Sequence, residues 1–206
     1  GSMPSMVHFT TKVCAIFATF LVLAIVHVCF VVVKHRKRFH ARAPTLIATA
    51  GSLAIVFYIS VTVTVLQPFQ CELHPNGRWA TRAYQDVICW DHGANSDHTI
   101  MLVVGLCALV LPTALFAKVI QLVRMLPAAL KSGDSRFMRS YGFLFFRFRP
   151  HARWYILVIM TRSILVGIVP SFHGEVLQIY SLQIILLACS ASCIYYQPWH
   201  IPQLNF

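Results

Sequence analysis

The sequence predicts an all-α protein, a polytopic membrane bundle of about five transmembrane helices, and three observations carry that prediction. Hydrophobic residues make up 58% of the 206-residue chain and charged ones 11%, and the mean hydropathy is +0.69. A soluble domain of this size needs far more charged surface, so an ordinary cytosolic globule, a disordered tail and a free nucleic-acid binder are excluded. Several nearly uncharged stretches have the roughly 17–25 residues that a bilayer core of about 30 Å demands. None of them alternates polar with apolar at period two, which argues against a membrane barrel.

In chain order, Gly1-Ser2-Met3 reads as a cloning scar, so 1–12 is expected to hold that scar and a short exoplasmic N-terminus, and the chain to be a piece of a longer protein. Spans are expected at about 13–33, 45–67, 99–123, 154–170 and 176–196, within a transmembrane domain over 13–199, with 200–206 as a cytoplasmic tail. The first span is followed by a basic block and has no small-residue cleavage site, unlike a signal peptide.

Charge orients the spans. Lys34, Arg36, Lys37, Arg38 and Arg42 follow the first, and Lys118, Arg124, Lys131, Arg136, Arg139, Arg147, Arg149 and Arg153 lie between the third and fourth with Asp134 as their one acid. Those are thirteen of the seventeen cations, and the positive-inside bias puts both connections in the cytoplasm. Glu72, Asp86, Asp91, Asp97 and Glu175, five of the six acids, fall on the other side. The expected product is an integral protein of the plasma membrane or an endomembrane, N-terminus exoplasmic and C-terminus cytoplasmic.

Cys71 and Cys89 alone among seven cysteines sit in the exoplasmic loop, 68–98. In an oxidising compartment they are expected to pair, closing a loop whose constraint is worth on the order of 3 kcal/mol. The competing reading is a metal site built from Cys89, Asp91, His92, Asp97 and His98 with His74, a spacing that matches no zinc motif. Cys14, Cys29, Cys107, Cys189 and Cys193 lie in spans and read as small buried hydrophobes. Pro75-Asn76-Gly77 is a turn signal.

Between the third and fourth spans, Ser132 to Ser135 reads as a turn able to cap the next segment. Aromatics and arginines then interleave up to Pro150, as in a segment lying at headgroup level with its rings in the acyl boundary. Arg136, Arg139, Arg147, Arg149 and Arg153 are the candidate contacts to anionic lipid phosphates. The plainer reading is a short basic elbow that obeys the positive-inside bias.

Arg162 is the one cation well inside a span, at a cost of at least about 2.5–3.5 kcal/mol without a partner. Gln178, Gln183 or carbonyls freed by Pro112 are the candidate partners, and Pro112 is itself a candidate hinge or a fixed bend. The nine-residue interval from Arg153 to Arg162 is not the spacing of a voltage sensor. His27 is expected to be hydrogen-bonded within the bundle, with metal or tetrapyrrole ligation as the alternative.

The order Cys71, Asn76-Gly77, Cys89-Trp90, Pro112, Tyr141-Gly142-Phe143-Leu144, Phe148-Arg149-Pro150, Trp154-Tyr155, Arg162-Ser163-Ile164-Leu165 and Gln197-Pro198-Trp199 resembles a region of large protist membrane proteins described as TRP-like or polycystin-like. The resemblance covers about 71–199 and implies a sensor or channel-type membrane family. Ile156 stands where such relatives often carry an acid, and the connection 170–175 is too short for a re-entrant filter. Membership would not by itself license a pore.

No catalytic motif is present, so the chain is expected to be no enzyme and to need no cofactor. The expected function is the transmembrane module of a TRP-like sensor or channel-type protein, working as a homo-oligomer or with other membrane subunits and contacting no nucleic acid. The alternative is a non-catalytic structural or accessory subunit of a larger membrane assembly. Small residues Ala48, Ala50, Gly51, Ser52, Gly105 and Ala108 would serve helix contacts under either reading.

Overall fold

The computed structural model describes residues 4–35, 39–90 and 96–200. The described residues form helices α1 (Ser5–His35), α2 (Phe39–Val56), α3 (Tyr58–Leu66), α4 (Asp97–Ser132), α5 (Ser135–Phe145), α6 (Tyr155–Ile168) and α7 (Glu175–Tyr196). Strands β1 (Cys71–Leu73), β2 (Trp79–Thr81) and β3 (Tyr84–Ile88) intervene between α3 and α4. Arg36, Lys37, Arg38, Asp91, His92 and the 201–206 tail, all used in the sequence expectations, lie outside the described residues.

α1, α4 and α7 are long and apolar enough to cross a membrane, and α2 with α3 makes a fourth span if that bent pair is one crossing. The span expected at 154–170 is a shorter apolar helix, Tyr155–Ser171 with its closing turn. At 1.5 Å per residue it is about 25 Å long, short of a typical hydrocarbon core.

Other boundaries also move. α1 begins at Ser5, and Phe9 and Val13 are buried in a core with Tyr84, Val87 and Met101. The stretch expected as a short exoplasmic N-terminus is helical from Ser5 onward and packs through Phe9. α4 extends to Ser132, where Gly133 takes a left-handed φ of 66° and donates to the Ala129 and Leu130 carbonyls. Asp134 then caps α5, accepting from the Arg136 and Phe137 amides at 3.0 Å. The expected turn at 132–135 is present, and its acid is a helix cap.

The kink anticipated at Pro112 has a counterpart across the interface. α4 runs as continuous helix through buried Pro112, while α2 and α3 meet at 56° around Phe57. Eight of the eleven residues from Ile55 to Val65 are β-branched, which lowers helix propensity and weakens the ladder there. Tyr58, just past the break, donates its hydroxyl to the Pro112 carbonyl at 3.3 Å.

Helices dominate as the all-α expectation has it, and one small sheet is added to them. The segment read as a disulfide-tied loop holds an antiparallel sheet in the order β1-β2-β3, with Cys71 opposite Thr81 and Leu73 opposite Trp79. Gly77, at a φ of 76°, closes the first hairpin, where the Arg78 amide donates to Asn76 Oδ1 at 3.0 Å. Tyr84 and Val87 turn inward while Gln85 and Asp86 face out.

A second core lies at the opposite end of α4. Phe137, Leu144, Phe145 and Phe148 of the elbow are buried there with Leu122 and Leu126 of α4, Tyr58, and Tyr155, Ile156 and Met160 of α6. Of the rings expected in the acyl boundary, Phe137, Phe145 and Phe148 are thus inside the protein while Phe146 is exposed, because α5 presents one apolar stripe and packs it against α2. Gly51 of α2 has no side chain, and the Phe143 ring fills that space.

The cysteine expectation also changes. Cys14, Cys29 and Cys107 are exposed on α1 and α4, and Cys189 and Cys193 are half-buried. A span that is apolar all round does not announce which face meets protein.

Adjacent phenylalanines test the inward packing of the elbow. Phe148 is 1% exposed and Phe146 is 63% exposed. Phe148→Ala is expected to cost about 3–5 kcal/mol and Phe146→Ala about 0.5 kcal/mol or less, read as relative shifts of the thermal unfolding midpoint in detergent.

Candidate functional site

Two sites stand at opposite ends of the molecule. At the first, the Cys71–Cys89 disulfide spans 6.3 Å between Cα atoms and joins the first strand to the end of the third. It lies against His98, in the first turn of α4, which is 2% exposed. The Trp90 amide donates to His98 Nδ1 at 3.2 Å, and His98 Nε2 stands 3.1 Å from the Pro68 carbonyl. An amide can only donate, so Nδ1 accepts and Nε2 carries the proton that Pro68 O receives. Trp90, at a φ of 62°, is held in the left-handed region by this contact and by its bonded neighbour Cys89.

Besides α4, which His98 ties to its flanks, the sheet and the residues beside it reach three helices. Ser5 of α1 donates to Asp86 at 2.6 and 2.7 Å, and Lys12 Nζ donates to the Tyr84 hydroxyl at 3.2 Å. Gln70 Nε2 donates to the Gly167 carbonyl of α6 at 3.1 Å. Arg82 Nη1 donates to Gln178 Oε1 of α7 at 2.6 Å, and Trp79 meets His173 edge to face at 4.9 Å. The Arg82–Glu72 pair, 3.9 Å apart and about half exposed, adds little.

The metal reading gains one part and loses another. Sγ of Cys71, Sγ of Cys89 and a His98 ring nitrogen lie within 4.8 Å of one another. In the disulfide the sulfurs are not thiolates, and both His98 nitrogens already serve backbone groups. His74 and Asp97 do not join this group. His27 is half-buried on α1, and it belongs to no cluster of ligand-type side chains among the described residues.

The second site lies at the elbow end. A groove of about 460 Å³ is lined by Ile55, Val56 and Ile59 from α2, α3 and their junction, by Tyr155, Val158, Ile159, Arg162 and Ser163 of α6, and by Leu186, Cys189, Ser190 and Cys193 of α7. Arg147 and Trp199 complete it. The tail after α7 closes this end: Trp199 bridges Phe148 with ring centroids 5.0 Å apart, and the Arg149 amide donates to Pro198 O at 2.8 Å. The His200 amide donates to Arg147 O at 3.3 Å.

None of the expected partners reaches Arg162. Gln178 is engaged by Arg82 and donates to Phe172 O at 2.8 Å. Pro112 has no amide to donate, so the carbonyl it frees is that of Ala108, and among the described residues no hydrogen bond joins it to Arg162. Gln183 is exposed on α7. Of the five candidate lipid-contact arginines, Arg136 and Arg139 are exposed on α5, Arg147 lines the groove, Arg149 reaches Gln197 Oε1 at 3.4 Å, and Arg153 is half-buried beyond Pro150. Arg147 and Arg162 line the same groove, which sequence spacing does not signal.

No protein-family model, curated protein or solved structure matches this chain.

His98 should behave as a buried strap. Replacing it with Leu leaves Trp90 N–H and Pro68 C=O without their partner, at about 1–3 kcal/mol for each group. The expected result, with the disulfide intact, is a lowered unfolding midpoint. His98→Gln, which restores a donor and an acceptor, should recover part of it.

Proposed function

We propose that this chain is a non-catalytic transmembrane subunit of a larger membrane assembly, and that α7 is the helix that meets its neighbours. One observation carries the reading. Gln183 is exposed on α7, a 22-residue apolar helix that buries no residue within the chain. It lies about 12 Å along a helix about 33 Å long, where hydrocarbon would surround it. A primary amide at that depth has no water to bond, and a partner helix supplies what lipid does not.

The rest of α7 agrees. Tyr180, Ile184, Leu187 and Tyr195 are 61–80% exposed and recur at helical spacing along one stripe. The helix is fastened near its start through Gln178 and beyond its end through Trp199, so its outward side is held ready without being covered. In this reading the disulfide-tied cap faces the exoplasm and the basic elbow faces the cytoplasm, as the positive-inside bias directs.

A second reading, a TRP-like sensor or channel-type module, is favoured by the groove that both Arg162 and Arg147 line and by the break at Phe57 opposite Pro112. Only Val169–Ser171 and the residues up to Gly174 connect α6 to α7, too little chain for a selectivity filter within one copy.

Two measurements separate these readings. Extracted under mild conditions from the membranes of its natural host, the 23.3 kDa chain should migrate in a much larger complex. Gln183→Leu should weaken that association by about 0.6–2 kcal/mol, visible as free chain. Purified and placed in liposomes, the chain should pass no ions; flux would transfer the conclusion to the channel-type reading.

A further inference from the structure

We propose that the groove between the α2–α3 junction, α6 and α7 binds one anionic phospholipid, its phosphate held between Arg147 and Arg162 and one acyl chain lying along Ile59, Val158 and Leu186. Such a site stands whatever α7 meets.

The lining supplies the chemistry. Two guanidinium groups face a groove of about 460 Å³ whose remaining walls are mainly apolar side chains, a volume within the range of about 300–1,000 Å³ usual for ligand pockets. No carboxylate belongs to the lining. Asp134 is spent on capping α5, and Glu72, Asp86, Asp97 and Glu175 belong to the disulfide end. Among the described residues neither the Arg147 nor the Arg162 guanidinium has a hydrogen-bond or ion-pair partner. Nearby hydroxyls are partly committed, Ser163 to Ile159 O at 3.0 Å and Tyr155 to Cys189 O at 3.3 Å.

Helix geometry leans Arg162 toward the end of the groove that Arg147 lines. Arg162 lies seven residues beyond Tyr155, about 10 Å along the axis. Its Cα–Cβ bond leans toward the N-terminal end of α6, the end where Arg147 and Trp199 stand. Two planar forks lining one groove from different elements suit a phosphate, which accepts paired N–H donors. A free anion would satisfy the arginines and leave the apolar walls unused, whereas a phospholipid occupies both.

The arrangement also answers the energetic problem of Arg162. A lone cation at this depth is costly in hydrocarbon, and an anion drawn in from the elbow end neutralises it without any acid from the chain. Position separates this site from a diffuse basic surface. Arg139 lies on α5 and is exposed outside the groove, so it contributes charge to the elbow but not to the pocket.

The test uses the full chain in phosphatidylcholine vesicles containing a minor fraction of phosphatidylserine, released gently and weighed by native mass spectrometry. One phosphatidylserine should remain bound in preference to phosphatidylcholine. Arg162→Gln and Arg147→Gln should each lower its retention about tenfold, Arg162→Lys should lower it less, and Arg139→Gln should leave it unchanged. Equal retention of the two lipids by the wild-type chain overturns the proposal, as does an Arg139→Gln loss as large as that of Arg162→Gln. Displacement of the lipid by millimolar inorganic phosphate also overturns it, in favour of a free-anion site.

A second arm does not rely on arginine variants folding. In a chain keeping Trp199 alone, with Trp79, Trp90 and Trp154 changed to Phe, phosphatidylserine with brominated chains should quench fluorescence more strongly than brominated phosphatidylcholine. Equal quenching contradicts the site.

Discussion

Helices as apolar as α1, α4 and α7 gain little from one another in a bilayer, since lipid tails offer the same apolar contact. Whatever holds such helices must come from close packing, polar bonds or covalent ties. Here those devices concentrate at the two ends. At one, a three-stranded sheet closed by Cys71–Cys89 bonds to α1 through Asp86, to α4 through His98, to α6 through Gln70 and to α7 through Arg82. At the other, Phe145 and Phe148 form the buried centre on which α4, α6 and the tail after α7 converge.

The middle is looser, and its features stem from that division. α2 and α3 break at Phe57, where β-branched residues weaken the ladder, and Tyr58 just past the break is tied into the elbow-end core. Cavities flank this height, one of about 120 Å³ beside Tyr58 and Pro112 and one of about 360 Å³ between α1 and α3. Arg162 and Gln183 lie between the clips as well, and among the described residues neither side chain has a hydrogen-bond partner. Fixed ends with open flanks suit a subunit whose structure is completed by lipid and neighbouring helices.

Much of the scaffold is legible in the sequence because hydropathy over twenty residues survives any packing arrangement. The disulfide is legible by counting, since Cys71 and Cys89 are the pair outside the spans. The sheet is hidden: its strands are three, three and five residues long, although Pro75-Asn76-Gly77 and the inward Tyr84 and Val87 are its available signals. The elbow rings read as lipid-facing because an amphipathic stripe shows that one face is buried without saying whether lipid or protein buries it. The same ambiguity hides the exposure of Cys14, Cys29 and Cys107. Arg162 stands out by its charge, but its neighbour Arg147 does not, since only the turn through Phe148 and Pro150 brings the two to one groove.

The central claim is that the uncovered side of α7 is an interface, and a photo-reactive residue placed in turn at each position of α7 tests it most directly. In native membranes, capture of protein should recur with helical spacing through Tyr180, Gln183, Ile184, Leu187, Ala191 and Tyr195, with lipid captured between. Lipid capture at every outward position, with no protein stripe, would contradict the account.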